Sequence, residues 1–259
     1  MNSLFLISGP CAIEDRDTAF LIAEKVKTIT QKLGIEYIFK GSYKKANRSK
    51  LNSFSGIDKH EALNILKDIG EELHIPVLTD VHESWECEEV AEYVDYLQIP
   101  AFLCRQTDLL IAAGNTGKGV NIKKGQFVSP EAMQFAIEKV LSTGNNQIWL
   151  TERGTTFGYE SLVVDMTSIP RMQAFGGTVV MDCTHSVQKP NQSSGVTGGD
   201  AKMIETLCLA SVAAGVDGLF IETHPEPGLA SSDAASMLPL NQLEGILTKA
   251  SEIRKLLYS

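Results

Sequence analysis

Leu219-Phe220-Ile221-Glu222-Thr223-His224 is the stretch on which the fold turns. Its first three residues are an apolar run of strand length, and the run opens downstream onto an acid and an imidazole, side chains able to do chemistry. Seven other runs behave the same way: Leu4-Phe5-Leu6-Ile7, Tyr37-Ile38-Phe39, Val77-Leu78, Tyr96-Leu97-Gln98-Ile99, Val120-Asn121-Ile122, Ile148-Trp149-Leu150 and Val179-Val180-Met181. In order, they lead into Cys11, Lys40, Asp80 with His82, Gln98, Lys123 with Lys124, Arg153, and Asp182 with His185. Strands that carry reactive side chains at one common end predict a parallel (β/α)8 TIM barrel seen from its catalytic rim, one domain over residues 1–259.

Between the strands the apolar spacing changes to that of helices. Ile22, Val26, Ile29 and Leu33 follow Asp17, read as a cap, and Leu243, Ile246, Leu247, Ala250, Ile253 and Leu257 repeat the pattern at the end of the chain. Ser84 before Glu86, Glu88 and Glu89 reads as a capped first turn with acids at the positive end of the dipole. Two connections are expected to be long, Ser186 to Gly199 and His224 to Pro239, and the others short. Both long ones lie on the rim, where such loops hold ligands.

Composition narrows the function. With 259 residues, 43% hydrophobic, the chain can bury a large core. A net charge of −9 without a basic block argues against nucleic acid or an anionic membrane as partner, so any anion it binds is small. Met1-Asn2-Ser3-Leu4 has no basic leader, and no apolar run approaches the roughly 20 residues of a membrane helix, so a cytoplasmic protein is expected. Cys11, Cys87, Cys104, Cys183 and Cys208 are scattered and odd in number, which predicts reduced thiols.

The rim is basic although the chain is acidic. Lys40, Lys45, Arg48, Lys123, Lys124 and Arg153 fall at or just past strand ends, as expected if two phosphates, or a phosphate and a carboxylate, are held in one cleft. Lys44 and Lys50 read as solvated loop residues. Cys11, His185, Glu222 and Asp233 follow strands that become neighbours when a barrel closes. One thiolate, one imidazole and two carboxylates suit Fe2+, Zn2+, Mn2+ or Co2+ rather than Mg2+ or Ca2+. Spacing alone leaves a second reading open, with Cys11 as a small buried hydrophobe and His185 as a hydrogen-bonded core residue.

Several motifs add a resemblance. Gly9-Pro10-Cys11-Ala12-Ile13-Glu14, Lys45-Ala46-Asn47-Arg48-Ser49, Thr79-Asp80-Val81-His82-Glu83, Gln98 through Gln106, Lys123-Lys124-Gly125-Gln126-Phe127, Thr151-Glu152-Arg153-Gly154, Thr184-His185-Ser186-Val187-Gln188 and Glu222 through Pro227 run nearly end to end. In these the chain resembles the 3-deoxy-D-manno-octulosonate 8-phosphate synthases, which join phosphoenolpyruvate to D-arabinose 5-phosphate in Kdo and lipopolysaccharide biosynthesis. A related family uses erythrose 4-phosphate and shares the Gly-Pro-Cys opening, but carries Lys-Pro-Arg-Thr-Ser-Pro where this chain has Lys-Ala-Asn-Arg-Ser.

The resemblance implies that Lys123 and Arg153 hold the donor phosphate, with Lys40, Lys45 and Gln98 around its carboxylate and body. It implies Arg48 and Ser49 at the sugar phosphate, and Asn47 and Asp80 along the sugar hydroxyls. His185, Asp80, Lys45 and Asn47 are the implied catalytic set. Cysteine after Gly-Pro marks the metal-dependent class, with Cys11, His185, Glu222 and Asp233 as ligands and no organic cofactor. A homotetramer is implied, with Phe102-Leu103-Cys104-Arg105 near a subunit contact. Tyr43-Lys44 departs from the common Phe-Asp, and Lys50 and Cys183 are local departures too. Against a non-catalytic sugar-phosphate sensor stand the complete ligand set and both anion clusters; acceptor choice among aldoses stays open.

Overall fold

The computed structural model describes residues 4–47, 53–157, 161–190 and 197–258. The eight expected strands are β1 (Phe5–Gly9), β2 (Glu36–Lys40), β3 (Val77–Asp80), β4 (Tyr96–Ile99), β5 (Gly119–Lys123), β6 (Ile148–Glu152), β7 (Thr178–Asp182) and β8 (Gly218–His224). All pair in parallel in chain order, and β8 returns to β1 with Phe5 opposite Gly218 and Gly9 opposite Glu222, closing the barrel. The helices are α1 (Arg16–Leu33), α2 (Lys59–Leu73), α3 (Glu86–Ala91), α4 (Thr107–Asn115), α5 (Met133–Leu141), α6 (Ser168–Gln173), α7 (Ile204–Ala213) and α8 (Leu243–Tyr258).

Alternation along each strand sorts side chains into two cores. Leu6, Phe39, Val77, Leu97, Ile122, Leu150, Val179 and Ile221 face outward and pack with the buried faces of the helices, among them Ile22, Val26, Leu247 and Ala250. Phe5, Ile7, Ile38, Leu78, Val180 and Phe220 face inward, joined by Tyr96 and Trp149, and plug the floor of the barrel. Glycine makes room for those rings: a Cβ at Gly119 would lie 2.2 Å from the Tyr96 ring, and one at Gly218 2.4 Å from the Phe5 ring. One rung higher, the inward positions are polar, and there the site is built.

Three local expectations are corrected. Asp15, not Asp17, caps α1: its backbone is extended and its carboxylate accepts the Thr18 amide at 2.7 Å. Ser84 does not cap α3, whose N-terminus has no side-chain cap; Ser84 offers only its carbonyl, to the Cys87 amide. Long connections also follow β2 (to Lys59) and β6 (to Ser168), the latter folding a small hairpin of Thr155–Thr156 against Leu162–Val163. The loop after β7 carries a hairpin of Gln188–Lys189 with Gly198–Gly199, and the loop after β8 carries two 3-10 turns before Leu238–Pro239 adds a short parallel strand to the top of β8. All of these rise over the C-terminal mouth. Arg48, Ser49 and Lys50 lie outside the described residues.

No helix among the described residues is long and apolar enough to cross a membrane. All five cysteines are buried and none is in a disulfide.

Candidate active site

The end of β1 sets the first wall. Gly9 is required by crowding, because a Cβ there would meet the Lys40 carbonyl oxygen at 2.0 Å. Just beyond it, the chain bridges to the start of the next loop through Ala12 and Ser42, which brings Cys11 over the barrel mouth. Lys40, almost fully buried at the end of β2, spends its ammonium on the Cys11 carbonyl (2.9 Å), the Ser42 hydroxyl (3.0 Å) and Glu222 Oε1 (2.7 Å). Lys45, half-buried, donates to the same hydroxyl at 2.9 Å.

Asp80, at the end of β3, accepts hydrogen bonds from Ser42 and from the Gln98 amide. Burial opposes its ionisation, but Lys40, Lys45 and His82 outweigh that and hold the carboxyl well below its ordinary range. Gln98 then accepts from Asn121 (2.9 Å), which accepts from Thr151 (2.6 Å), so a hydrogen-bonded ladder crosses β3 to β6 just under the mouth. Every rung is satisfied, as a buried polar network must be. Asn47, by contrast, is exposed at the edge of the described loop.

The two adjacent lysines after β5 separate. Lys123 points inward, 2.5 Å from Asp182 and 3.6 Å above the Phe220 ring. Burial pulls it below its ordinary value in spite of Asp182 and Glu222. Lys124 faces away, ion-paired with Glu152 at 3.2 Å and within 3.3 Å of the Val128 and Gly154 carbonyls, where it fastens two loops together. Arg153 is buried beside Lys123's side of the mouth; its Nη2 donates to Gln188 at 3.0 Å, while its Nη1 is buried without a hydrogen-bond partner among the described residues. A buried guanidinium nitrogen left unpaired is costly unless an anion completes it.

Three of the four candidate metal ligands, Cys11, Glu222 and Asp233, form one group, and His185 stands beside it without joining it. One donor atom each from Cys11, Glu222 and Asp233 lies within 4.8 Å of the others, and Cys11 Sγ is 3.0 Å from Asp233 Oδ2. His185 Nε2 is 3.6 Å from Glu222 Oε2 and 4.0 Å from Asp233 Oδ2. Its other nitrogen lies 2.8 Å from Asp182 Oδ2, the carboxylate-to-imidazole arrangement that fixes a ring so that Nε2 faces a metal. Asp233 sits at φ +53°, a left-handed conformation that side chains other than glycine rarely adopt. Burial, then Asp233 and Glu222, push the Cys11 thiol far above its usual range. A divalent cation would reverse that balance; the sulfur and two carboxylates of the group, with the imidazole beside them, are donors of the kind a transition metal takes. Glu222 is ionised: burial opposes this, but His185, Lys40, Lys45 and Lys123 bring it down to about 2.

Sequence reasoning gave no role to three residues that organise the site. Asp182 holds both His185 and Lys123, and its carboxylate also accepts the His185 amide at 2.8 Å. Gln188 joins Arg153 to Asp233, donating to the latter at 3.3 Å. Ser42 links Lys40, Lys45 and Asp80. Each stands inside or beside a motif, but a neutral or already paired side chain gives no charge signal to notice.

A closed parallel barrel whose C-terminal mouth gathers buried charges, a guanidinium nitrogen without a partner among the described residues and a candidate group of metal donors marks a (β/α)8-barrel enzyme. The chain belongs to the DAHP synthetase I family, whose model matches residues 2–259. Among its relatives are proteins named 2-dehydro-3-deoxyphosphooctonate aldolase. That of Koribacter versatilis is 51% identical over 97% of this chain and 91% of its own length. Those of Fusobacterium nucleatum (51%, covering 97% and 90%) and Brucella ovis (50%, covering 95% and 89%) are similarly close.

Proposed function

We propose that the protein condenses phosphoenolpyruvate with D-arabinose 5-phosphate and water, giving 3-deoxy-D-manno-octulosonate 8-phosphate and inorganic phosphate for Kdo and lipopolysaccharide biosynthesis, as a metal-dependent member of its family. Relatives at half identity over almost the whole chain, all carrying one name, are the observation that carries this reading. The loop Lys45-Ala46-Asn47-Arg48-Ser49 favours the five-carbon acceptor over erythrose 4-phosphate.

The donor phosphate belongs between Lys123 and Arg153, where Nη1 awaits an acceptor. Lys40, Lys45 and Gln98 surround the donor carboxylate and body, Arg48 and Ser49 take the sugar phosphate, and Asn47 and Asp80 line the sugar hydroxyls. Held this way, carbon 3 of the enol attacks the aldehyde, positive charge grows at carbon 2, and water adds there. The resulting hemiketal phosphate collapses with carbon–oxygen cleavage, and phosphate leaves. Fixed charges aimed at the developing charge lower the barrier without reorganisation.

Charge balance supports a metal. Among the described residues Lys40, Lys45, Lys123 and Arg153 are offset by Asp80, Asp182, Glu222 and Asp233, four against four, so Arg48 is the one further cation assigned to two phosphorylated substrates and a bound cation would add to it. Cys11, His185, Glu222 and Asp233 would hold Fe2+, Zn2+, Mn2+ or Co2+, which supplies a Lewis acid for a substrate oxygen or water. No organic cofactor is needed. The protein is read as a cytoplasmic homotetramer, with exposed Phe102 and Arg105 at a subunit contact.

The test is phosphate release from phosphoenolpyruvate with arabinose 5-phosphate, with erythrose 4-phosphate and with no sugar, before and after EDTA. Release with arabinose 5-phosphate alone, lost on chelation and restored by a transition metal, is expected. No release with either sugar defeats the catalytic reading, and release indifferent to exhaustive chelation removes the metal.

A further inference from the structure

Glu86 is a fully buried carboxylate that the proposed chemistry leaves unused. As the first residue of α3 it would ordinarily face solvent and the helix dipole, yet its side chain folds back over the turn after β3. Oε2 accepts the backbone amides of His82 (2.9 Å) and Glu83 (3.2 Å) and lies 3.6 Å from His82 Nδ1. Oε1 accepts the Lys44 ammonium at 3.0 Å. Burial opposes the charge, but the bonds from His82 and Lys44 keep the carboxyl well below its ordinary range. Tyr43 completes the contact, its ring edge-on to His82 with centroids 6.3 Å apart.

These contacts tie two loops of the mouth together. Lys44 belongs to the loop after β2 that continues into Lys45, Ala46 and Asn47, and that loop is also held by Lys45 N–H donating to the Ser55 carbonyl at 2.8 Å. On the far side, His82 follows Asp80 by two residues on the turn that leaves β3. Contacts thus run from Lys44 through Glu86 to His82, and the chain itself carries the link on to Asp80 in the wall of the site. None of the hydrogen bonds of Glu86 reaches the donor side, where Lys123 is held by Asp182 and Arg153 by Gln188.

We propose that Glu86 is a positioning residue for the acceptor half of the site: it pins the turn at His82 and, through Lys44, the stretch of loop leading to Asn47, while Lys45 keeps its own bonds to Ser42 and Ser55, so that Asn47 and Asp80 are in place before the sugar arrives. This rests on the reading of the protein as a phosphoenolpyruvate and arabinose 5-phosphate synthase. Ordering a loop before the ligand arrives removes a cost from binding, and that saving is specific to the ligand the loop touches.

The experiment measures KM for each substrate and kcat in the metal-loaded wild type, Glu86→Gln, Lys44→Met and the double variant. If the wild type does not turn over, the functional reading has failed and not this inference. Given turnover, Glu86→Gln raises KM for arabinose 5-phosphate roughly tenfold, as for the loss of one charge-assisted hydrogen bond, with kcat and KM for phosphoenolpyruvate within about twofold. Lys44→Met, at a partly exposed side chain that does not threaten folding, gives a smaller rise for the same substrate, and the double variant is no worse than Glu86→Gln. A sugar KM unchanged in both single variants, a parallel rise for both substrates, or additive effects in the double variant overturns the proposal.

Discussion

Leu78 and Asp80 stand two residues apart on β3 and both point into the barrel, yet they belong to regions governed by different rules. Below, Leu78 packs with Phe5, Ile7, Ile38, Val180 and Phe220 in a floor that needs only shape. Above, Asp80 shares the mouth with Lys40, Lys123, Asp182 and Glu222, charges taken almost wholly out of water. Burying an ion costs several kcal/mol unless it is paired, so the mouth holds together because these charges have fixed partners, Lys40 with Glu222, Lys123 with Asp182, and Asp80 with Ser42 and Gln98. The floor adds stability, whereas the mouth draws on it to hold charges where a substrate will find them.

If that contrast is right, breaking one pair in the mouth does more harm than emptying a place in the floor. Asp182→Asn leaves Lys123 buried without its carboxylate and frees the His185 ring; a loss of about 3–5 kcal/mol in denaturant unfolding and of about 10–100-fold in metal affinity is expected. Unchanged metal affinity would mean that His185 is oriented by something else. Leu78→Ala opens a cavity under the site and costs about 2–5 kcal/mol, with kcat unaltered at temperatures where the variant stays folded. A large fall in kcat without loss of stability would show that floor and mouth are not separable.

Acid sharpens the same contrast. Glu222 has its folded value lowered from 4.5 to about 2, so its stabilising effect is complete above pH 4.5 and disappears as pH falls toward 2. Unfolding of the metal-free protein should therefore lose on the order of 3 kcal/mol from this group across that interval. Glu222→Gln flattens that part of the profile, and Leu78→Ala shifts the whole curve without changing its slope.

How much of this was legible follows from which features leave a trace in one dimension. Parallel strands buried on both faces read as unbroken apolar runs, so Val179-Val180-Met181 and Leu219-Phe220-Ile221 were visible without a structure. Asp15 and Asp17 are both acids near the start of α1, and only backbone conformation decides which one caps it. Lys123 and Lys124 are chemically identical neighbours, separated only by strand alternation into a site cation and a loop fastener. Glu86 stands in the first turn of α3 as its position among acids implies, but nothing in a linear pattern shows its side chain folding back on the preceding turn. The convergence of Cys11 and Asp233 depends on barrel closure, which the strand count implied, and on a left-handed backbone at Asp233, which it did not.

The smallest effect is expected where sequence proximity to the site is greatest. Cys183 is two residues before His185 and directly follows Asp182, yet it packs in the outer core between barrel and helices, its Sγ 3.7 Å from the Met181 carbonyl. Burial holds its thiol protonated, far above the usual range, so it has neither the orientation nor the charge to reach the metal ligands inside. Cys183→Ala removes one sulfur from packed surroundings and should cost about 1 kcal/mol in stability, with bound metal by elemental analysis and kcat as in the wild type. Loss of metal in that variant would place a ligand on the outer face of β7, and the division of each strand into an inward functional rung and an outward structural one would fail at the position where it is most exposed to test.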